Sequence, residues 1–170
     1  TMGHEMAVNL MRGGHRVHAF DVRPGAIDAL AALGATACAS IAAAARDADV
    51  AITMLPDTPD VEAVVYGEGG LRAHPPAGRL VIDMSTIAPD AARRIAADLV
   101  ASGIDFIDAP VSGGPVGARN ATLSIMAGGR AEAFARAHTV FAGMGTTITH
   151  VGPSGAGQTV KLCNQLVCGI

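Results

Sequence analysis

Lys161 and Asn164 stand three residues apart in the stretch Gly155-Ala-Gly-Gln-Thr-Val-Lys-Leu-Cys-Asn-Gln165. On a helix that spacing puts both side chains on one face. Val160, Leu162 and Leu166 around them are apolar, so the helix reads as substantially buried. Burial disfavours the ammonium form and lowers a lysine's pKa, which suits the group to proton transfer near neutral pH. A lysine snorkelling out of a half-exposed helix would leave the same pattern. Gly155 and Gly157, which permit close backbone approach just before the lysine, favour the chemical reading.

Asp108-Ala-Pro-Val-Ser-Gly-Gly114 offers a partner for such chemistry. A strand runs into Pro110 and then into small residues whose N–H groups can turn toward an anion, with Ser112 adding a hydroxyl donor. Ser112, Gly113 and Gly114 are therefore candidates for holding a carboxylate, although a tight turn alone would also use Gly-Gly. Thr1-Met2-Gly3 opens a helix, and the strand after that helix ends in Asp21. A dinucleotide-binding βαβ unit needs a glycine where its helix packs on the strand, and an acid after the second strand to bind the ribose. Gly3 and Asp21 have about that separation, but no G-x-G precedes them in the sequence. A carboxylate at Asp21 favours NAD. Arg23 could pair with the extra phosphate of NADP, so NADP stays open. Leu55 and Pro56, and then Thr86, follow apolar strands at the carboxyl edge where open α/β sheets bind ligands. Pro56 could equally be a plain strand terminator, whereas the Thr86 hydroxyl is well placed to reach a cofactor.

The elements that must position these residues alternate as a parallel sheet covered by helices requires. A helix is expected over 4–13, closed by Gly13-Gly14, then a strand from His15 to Val22 and an Ala-rich helix from Pro24 to about Leu33. A second Ala run, 41–48, precedes the apolar strand 49–55, and Pro59 sits where a helix could begin. Strands are expected at 79–83 and 104–108, with a helix from Pro89 to Ser102 between them. A Gly-rich turn at 112–117 leads to strand 123–127, a helix at 132–141, strand 147–151 and a helical pattern from Gly155 to the end.

Composition narrows the class. The 170 residues include 21 glycines but only four Phe, one Tyr and no Trp, so Ala, Val, Ile, Leu and Met must build the core. A net charge of −3 without a basic run gives no support to a nucleic-acid partner. No stretch is long and apolar enough to span a bilayer, and no signal-peptide pattern opens the chain. Three cysteines, Cys38, Cys163 and Cys168, are too few and scattered for a disulfide framework or a zinc site. No metal is expected, and a reduced, cytoplasmic protein is. The chain starts at Thr1, in what reads as a loop leading into a helix, and stops at Ile170 inside a helical pattern, which reads as a fragment of a longer enzyme. The first, central strand of a doubly wound sheet would then lie before Thr1, and stable folding of the stretch alone is not expected.

Taken together, Thr1-Met-Gly with Met6-Ala-Val-Asn-Leu10, Ile52-Thr-Met-Leu-Pro56, Asp83-Met-Ser-Thr86, the Ser-Gly-Gly loop and the Lys-x-x-Asn helix resemble the β-hydroxyacid dehydrogenases. These motifs occur in order over nearly the whole chain. The resemblance implies an α/β fold, a Rossmann-like doubly wound and mostly parallel sheet lacking its first strand. It divides the chain into a nucleotide-binding domain at 1–153 and, at 154–170, the start of a long helix leading to an all-helical C-terminal domain. It implies an NAD(P)-dependent enzyme interconverting a small 3-hydroxy acid and its semialdehyde, with a carboxylate-bearing substrate and a homo-oligomer, dimer or tetramer, as the assembly. By the same resemblance, Thr1, Met2 and Gly3 cradle the pyrophosphate, Asp21 holds the ribose, and Leu55, Pro56 and Thr86 line the cofactor. Ser112, Gly113 and Gly114 bind substrate carboxylate, Lys161 is the catalytic acid/base, and Asn164 orients substrate beside it. A 6-phosphogluconate-type dehydrogenase would want basic residues near Ser112 or Lys161, and none cluster there. An imine reductase, or a relative kept only as a binding or oligomerisation module, would lack the lysine.

Overall fold

The computed structural model describes residues 2–168. Helix α1 (Met2–Arg12) buries Met6, Asn9 and Leu10. It stops where expected: Gly13 and His15 donate backbone hydrogen bonds to Asn9 and Leu10, and Gly14 takes a φ of 88°. Strands β1 (His18–Ala19) and β2 (Thr36–Ala37), joined through α2 (Asp28–Ala32), form a two-stranded parallel sheet. After α3 (Ile41–Ala45) come β3 (Ala51–Thr53), α4 (Thr58–Tyr66), β4 (Leu80–Asp83), α5 (Pro89–Ala101) and β5 (Asp105–Asp108). Pro59 and Pro89 each lie in the first turn of their helix, where a missing N–H costs nothing. The remainder is β6 (Val111–Ser112), α6 (Gly114–Arg119), β7 (Leu123–Gly129), α7 (Ala131–Ala142), β8 (Gly145–Gly152) and α8 (Ala156–Cys168).

The main sheet has β3, β4 and β5 parallel, in that order. β5 and β6 form one line, kinked at Ala109-Pro110, along the same edge of β7, and both pair with β7 antiparallel. β8 runs parallel to β7 on its other side. Among the described residues no ladder joins the β1–β2 pair to this sheet.

Side-chain alternation on the central strands shows helices on both faces. Leu80, Ile82 and Ile107 pack with Met6 and Leu10 of α1, Ala118 of α6 and Phe141 of α7. Val81 and Phe106 point the other way, onto Val61 and Val65 of α4 and Ile95 and Leu99 of α5. The fold is thus a Rossmann-like, doubly wound α/β unit with a mostly parallel sheet. No helix among the described residues is long and apolar enough to cross a membrane.

Three expectations need correction. The strand expected over His15–Val22 is only two residues long: among the described residues it pairs with β2, which is equally short. Residues 24–27 form turns, and the Ala-rich helix that follows runs only over Asp28–Ala32. The Gly-rich stretch 112–117 is not simply a turn: Gly113 and Gly114, at φ 128° and 59°, reverse the chain into α6, with Pro115 in its first turn.

Candidate functional site

The carboxyl ends of β3, β4 and β5 converge on the first turn of α8. Asp108, the last residue of β5, is fully buried and accepts hydrogen bonds from the backbone N–H groups of Gly155 (2.7 Å) and Gln158 (3.0 Å). A carboxylate 47 positions away in sequence thereby caps α8 and meets the positive end of its dipole. Burial pushes the Asp108 carboxyl up to about 6, against the pull of those two N–H groups, and the neighbouring Asp83 raises it further.

The helix can come this close only because its second residue is glycine. A Cβ on Gly157 would lie 2.4 Å from the Met126 carbonyl oxygen and 2.6 Å from that of Asp108. Gly128 on β7 is equally constrained, its virtual Cβ 2.8 Å from the Gly157 nitrogen.

Asp83, paired in register with Asp108, ends β4 and is also fully buried. One oxygen accepts from the Thr53 hydroxyl (2.8 Å) and the Ser85 N–H (3.1 Å), while the other has no hydrogen-bond partner among the described residues. Burial raises its pKa, with the Ser85 and Thr53 hydrogen bonds opposing. The Ser85 hydroxyl accepts from the Leu55 N–H at 2.9 Å, tying the loop after β3 to the loop after β4. Gln158, itself fully buried, spans the next gap, its amide accepting from Ile87 N–H and donating to the Ser85 carbonyl.

Lys161 follows one turn later. It is 7% exposed, and its Nζ donates to Gln165 Oε1 at 2.9 Å. Lys161 itself is thus buried rather than snorkelling, but the expectation of a substantially buried helix needs correction. Val160, Leu162 and Leu166 are exposed, because α8 packs on β7, β8 and α5 through the face that carries Gly157, Gln158 and Lys161. Asn164 lies half-buried one turn further along the same helix.

A second group of expected residues sits at the other end of this edge. Gly3, in the first turn of α1, rests on Met54 beside Leu55, with a virtual Cβ 3.6 Å from Met54 Cβ. That is ordinary contact, so Met54 does not itself demand a glycine there. Asp21 lies just beyond β1, and its carboxylate is engaged by Arg23 through two hydrogen bonds at 3.0 and 3.1 Å. These bonds hold the Asp21 pKa below the usual carboxylate range. His4, Arg23, Pro24, Gly25 and Ala26 line an open cavity of about 430 Å³ at this corner. A helix start, a strand-end acid and an open cavity between them suit the ribose end of a dinucleotide.

Met2–Gly3, Leu55, Thr86 and Lys161 thus fall along one row, linked through Met54, Ser85 and Gln158. Pro56 and Thr86 are exposed on it. Asp21 stands apart at the ribose corner, and Thr1 lies outside the described residues. Ser112–Gly114 begin four positions after Asp108, where β6 pairs with Ser124 of β7. The sequence reading assigned no role to Asp83, Asp108 or Gln158. Two of them are acids ending apolar strands, and the third follows the tight Gly157, which was the available signal.

The comparisons with known proteins agree with this geometry. Residues 1–152 match the family described as the NAD binding domain of 6-phosphogluconate dehydrogenase. The chain is 47% identical over 170 residues to a 3-hydroxyisobutyrate dehydrogenase of Pseudomonas aeruginosa, covering all of this chain and 57% of that protein. It is 42% identical to a 2-hydroxy-3-oxopropionate reductase of Escherichia coli, over 99% of this chain and 58% of the relative. A Mycobacterium tuberculosis 3-hydroxyisobutyrate dehydrogenase solved with L-serine superposes with a TM-score of 0.92 at 42% identity, over 98% of this chain and 56% of that one. The chain therefore spans a little over half the length of the proteins it matches. It belongs to the family described as the NAD binding domain of 6-phosphogluconate dehydrogenase.

Proposed function

We propose that this chain is the nucleotide-binding part of an NAD(P)-dependent oxidoreductase that interconverts a small 3-hydroxy acid and its semialdehyde. In this reading residues 1–153 form the nucleotide-binding domain and 154–170 begin the helix leading to a further helical domain. One observation carries the reading: a lysine with 7% exposure sits on a helix whose first turn is bonded to the carboxyl ends of β4 and β5. That edge is where open α/β sheets bind their ligands.

Thr1, Met2 and Gly3 would meet the pyrophosphate, Asp21 the ribose, and Leu55, Pro56 and Thr86 the rest of the cofactor. The bound nicotinamide supplies or receives the hydride. Lys161 supplies the proton: as an ammonium it donates to the aldehyde oxygen during reduction, and as an amine it accepts the hydroxyl proton during oxidation. Asn164, on the same helix, orients the substrate, and Ser112 with the N–H groups of Gly113 and Gly114 binds its carboxylate. NAD is favoured over NADP because the Asp21 carboxylate at the ribose corner suits a free hydroxyl and repels an added phosphate, with Arg23, paired to it, keeping NADP open. The enzyme is proposed to be cytoplasmic and to assemble as a dimer or tetramer.

The substrates named for the relatives, 3-hydroxyisobutyrate and 2-hydroxy-3-oxopropionate (tartronate semialdehyde), are non-phosphorylated acids, and this chain fits that class. A phosphorylated sugar acid would need free cations by the Ser112 loop. Arg119, the cation at the end of α6, is instead paired with Glu5 at 3.3 Å. The test is turnover by the full-length gene product, read as NADH oxidation with methylmalonate semialdehyde or tartronate semialdehyde and as NAD(P)+ reduction with 6-phosphogluconate. Turnover of either semialdehyde is expected. Turnover of the phosphorylated compound alone would replace this reading with the 6-phosphogluconate type.

A further inference from the structure

Asp108 holds the start of α8 through the backbone N–H groups of Gly155 and Gln158. The second attachment is Gln158, whose side chain reaches sideways to another strand's loop. Its amide oxygen accepts from Ile87 N–H at 3.1 Å and its amide nitrogen donates to the Ser85 carbonyl at 2.9 Å. Thr86 lies between those two held residues and is exposed. Lys161 lies three positions after Gln158, one turn along the helix. The Ser85 hydroxyl, in turn, accepts from Leu55 N–H. This fully buried amide satisfies two backbone groups, the Ile87 N–H and the Ser85 carbonyl, that an apolar side chain would leave unpaired. It also contributes one defined position.

We infer that Gln158 is a positioning residue for proton transfer: it locks the first turn of α8 to the Ser85–Ile87 loop and so fixes Lys161 relative to the cofactor-lining Thr86. This rests on the reading of Lys161 as the acid/base. Reaction rate depends steeply on such placement, and a shift near 1 Å can cost on the order of a hundredfold.

Two substitutions in the full-length enzyme test it. Gln158→Met fills the same volume and removes both hydrogen bonds. Gln158→Glu keeps the acceptor for Ile87 N–H but, when ionised, sets a carboxylate against the Ser85 carbonyl; when protonated, it donates there again. Both should keep KM for NADH within about threefold of the parent while kcat falls by roughly ten- to a hundredfold. For Gln158→Glu alone, the ratio of variant to parental kcat should climb as pH is lowered, because protonation restores the donor. A residue that only stabilises the core would lower the melting temperature and leave kcat parental, or lower kcat with a ratio flat in pH, and either result overturns the inference. Lys161→Ala run alongside separates the two claims. An inactive Lys161→Ala beside parental Gln158 variants removes the inference alone, whereas an active Lys161→Ala removes the acid/base reading and the inference with it.

Discussion

The two ends of the carboxyl edge are built on opposite principles. At the α8 end, Asp83, Asp108 and Gln158 are fully buried, and their hydrogen bonds cross between three strands and a helix. At the ribose corner, β1 and β2 are two residues each, and the acid that would read the nucleotide is 30% exposed, facing an arginine 66% exposed. Surface pairs of that kind are screened by water and contribute little to folding. In the proposed reading the first region holds Lys161, whose proton transfer depends on close placement. The second needs only to favour one nucleotide over another, and an ion pair that can be exchanged without disturbing the core serves that purpose.

The contrast can be broken most severely at Gly157. An alanine there would push its Cβ into two backbone carbonyls, and neither can yield cheaply. Gly157→Ala is expected to cost at or above the ~3 kcal/mol upper end of ordinary overpacking, and to lower turnover as α8 is displaced. Denaturant unfolding checks the first effect and NADH oxidation the second. Unchanged values for both would mean that the tight contact has no role.

Asp108 sharpens the same region through pH. Its carboxyl sits at about 6 in the folded protein, against 3.8 as the ordinary value. A carboxyl with a raised native pKa binds its proton more readily folded than unfolded, so its contribution is fully present below the lower value and lost as pH rises through the upper one. Relative to Asp108→Asn, the parent should lose up to about 3 kcal/mol of stability between roughly pH 4 and 7 and no more above that. Parallel unfolding curves across that window would contradict this.

The smallest effect belongs to the ribose corner. Arg23→Ala releases the Asp21 carboxylate and removes a partner for the NADP phosphate, so the preference for NADH over NADPH in kcat/KM should rise severalfold. Stability should barely move. A swing toward NADPH would mean that Asp21 does not face the ribose.

What the sequence disclosed follows the range of each interaction. The apolar runs at Leu80–Asp83 and Asp105–Asp108, the Gly13-Gly14 stop and the prolines opening α4 and α5 are local signals, and each is an element boundary in the structure. The Lys161 helix is a mixed case. Gly155 and Gly157 marked its close approach, but Val160, Leu162 and Leu166, the apolar residues that suggested a buried helix, are exposed, and long-range packing decides which face is covered. The passage through Gly113-Gly114 into α6 was hidden because two left-handed glycines look like a turn whether or not a helix follows. The network joining Asp108 to Gly155 and Gln158 to Ser85 and Ile87 was hidden for a different reason. Its partners lie 47 to 73 positions apart, and only the folded sheet brings them together.

The proposed placement of Lys161 for proton transfer, on the packed face of α8, is tested most directly by measuring NADH affinity and semialdehyde turnover on one preparation of full-length Lys161→Ala. General acid/base catalysis by one residue typically contributes about 10²–10⁴-fold. The account predicts a turnover loss on that scale with NADH affinity held within about threefold of the parent. Parental turnover, or an equal loss of cofactor binding and activity, would contradict it.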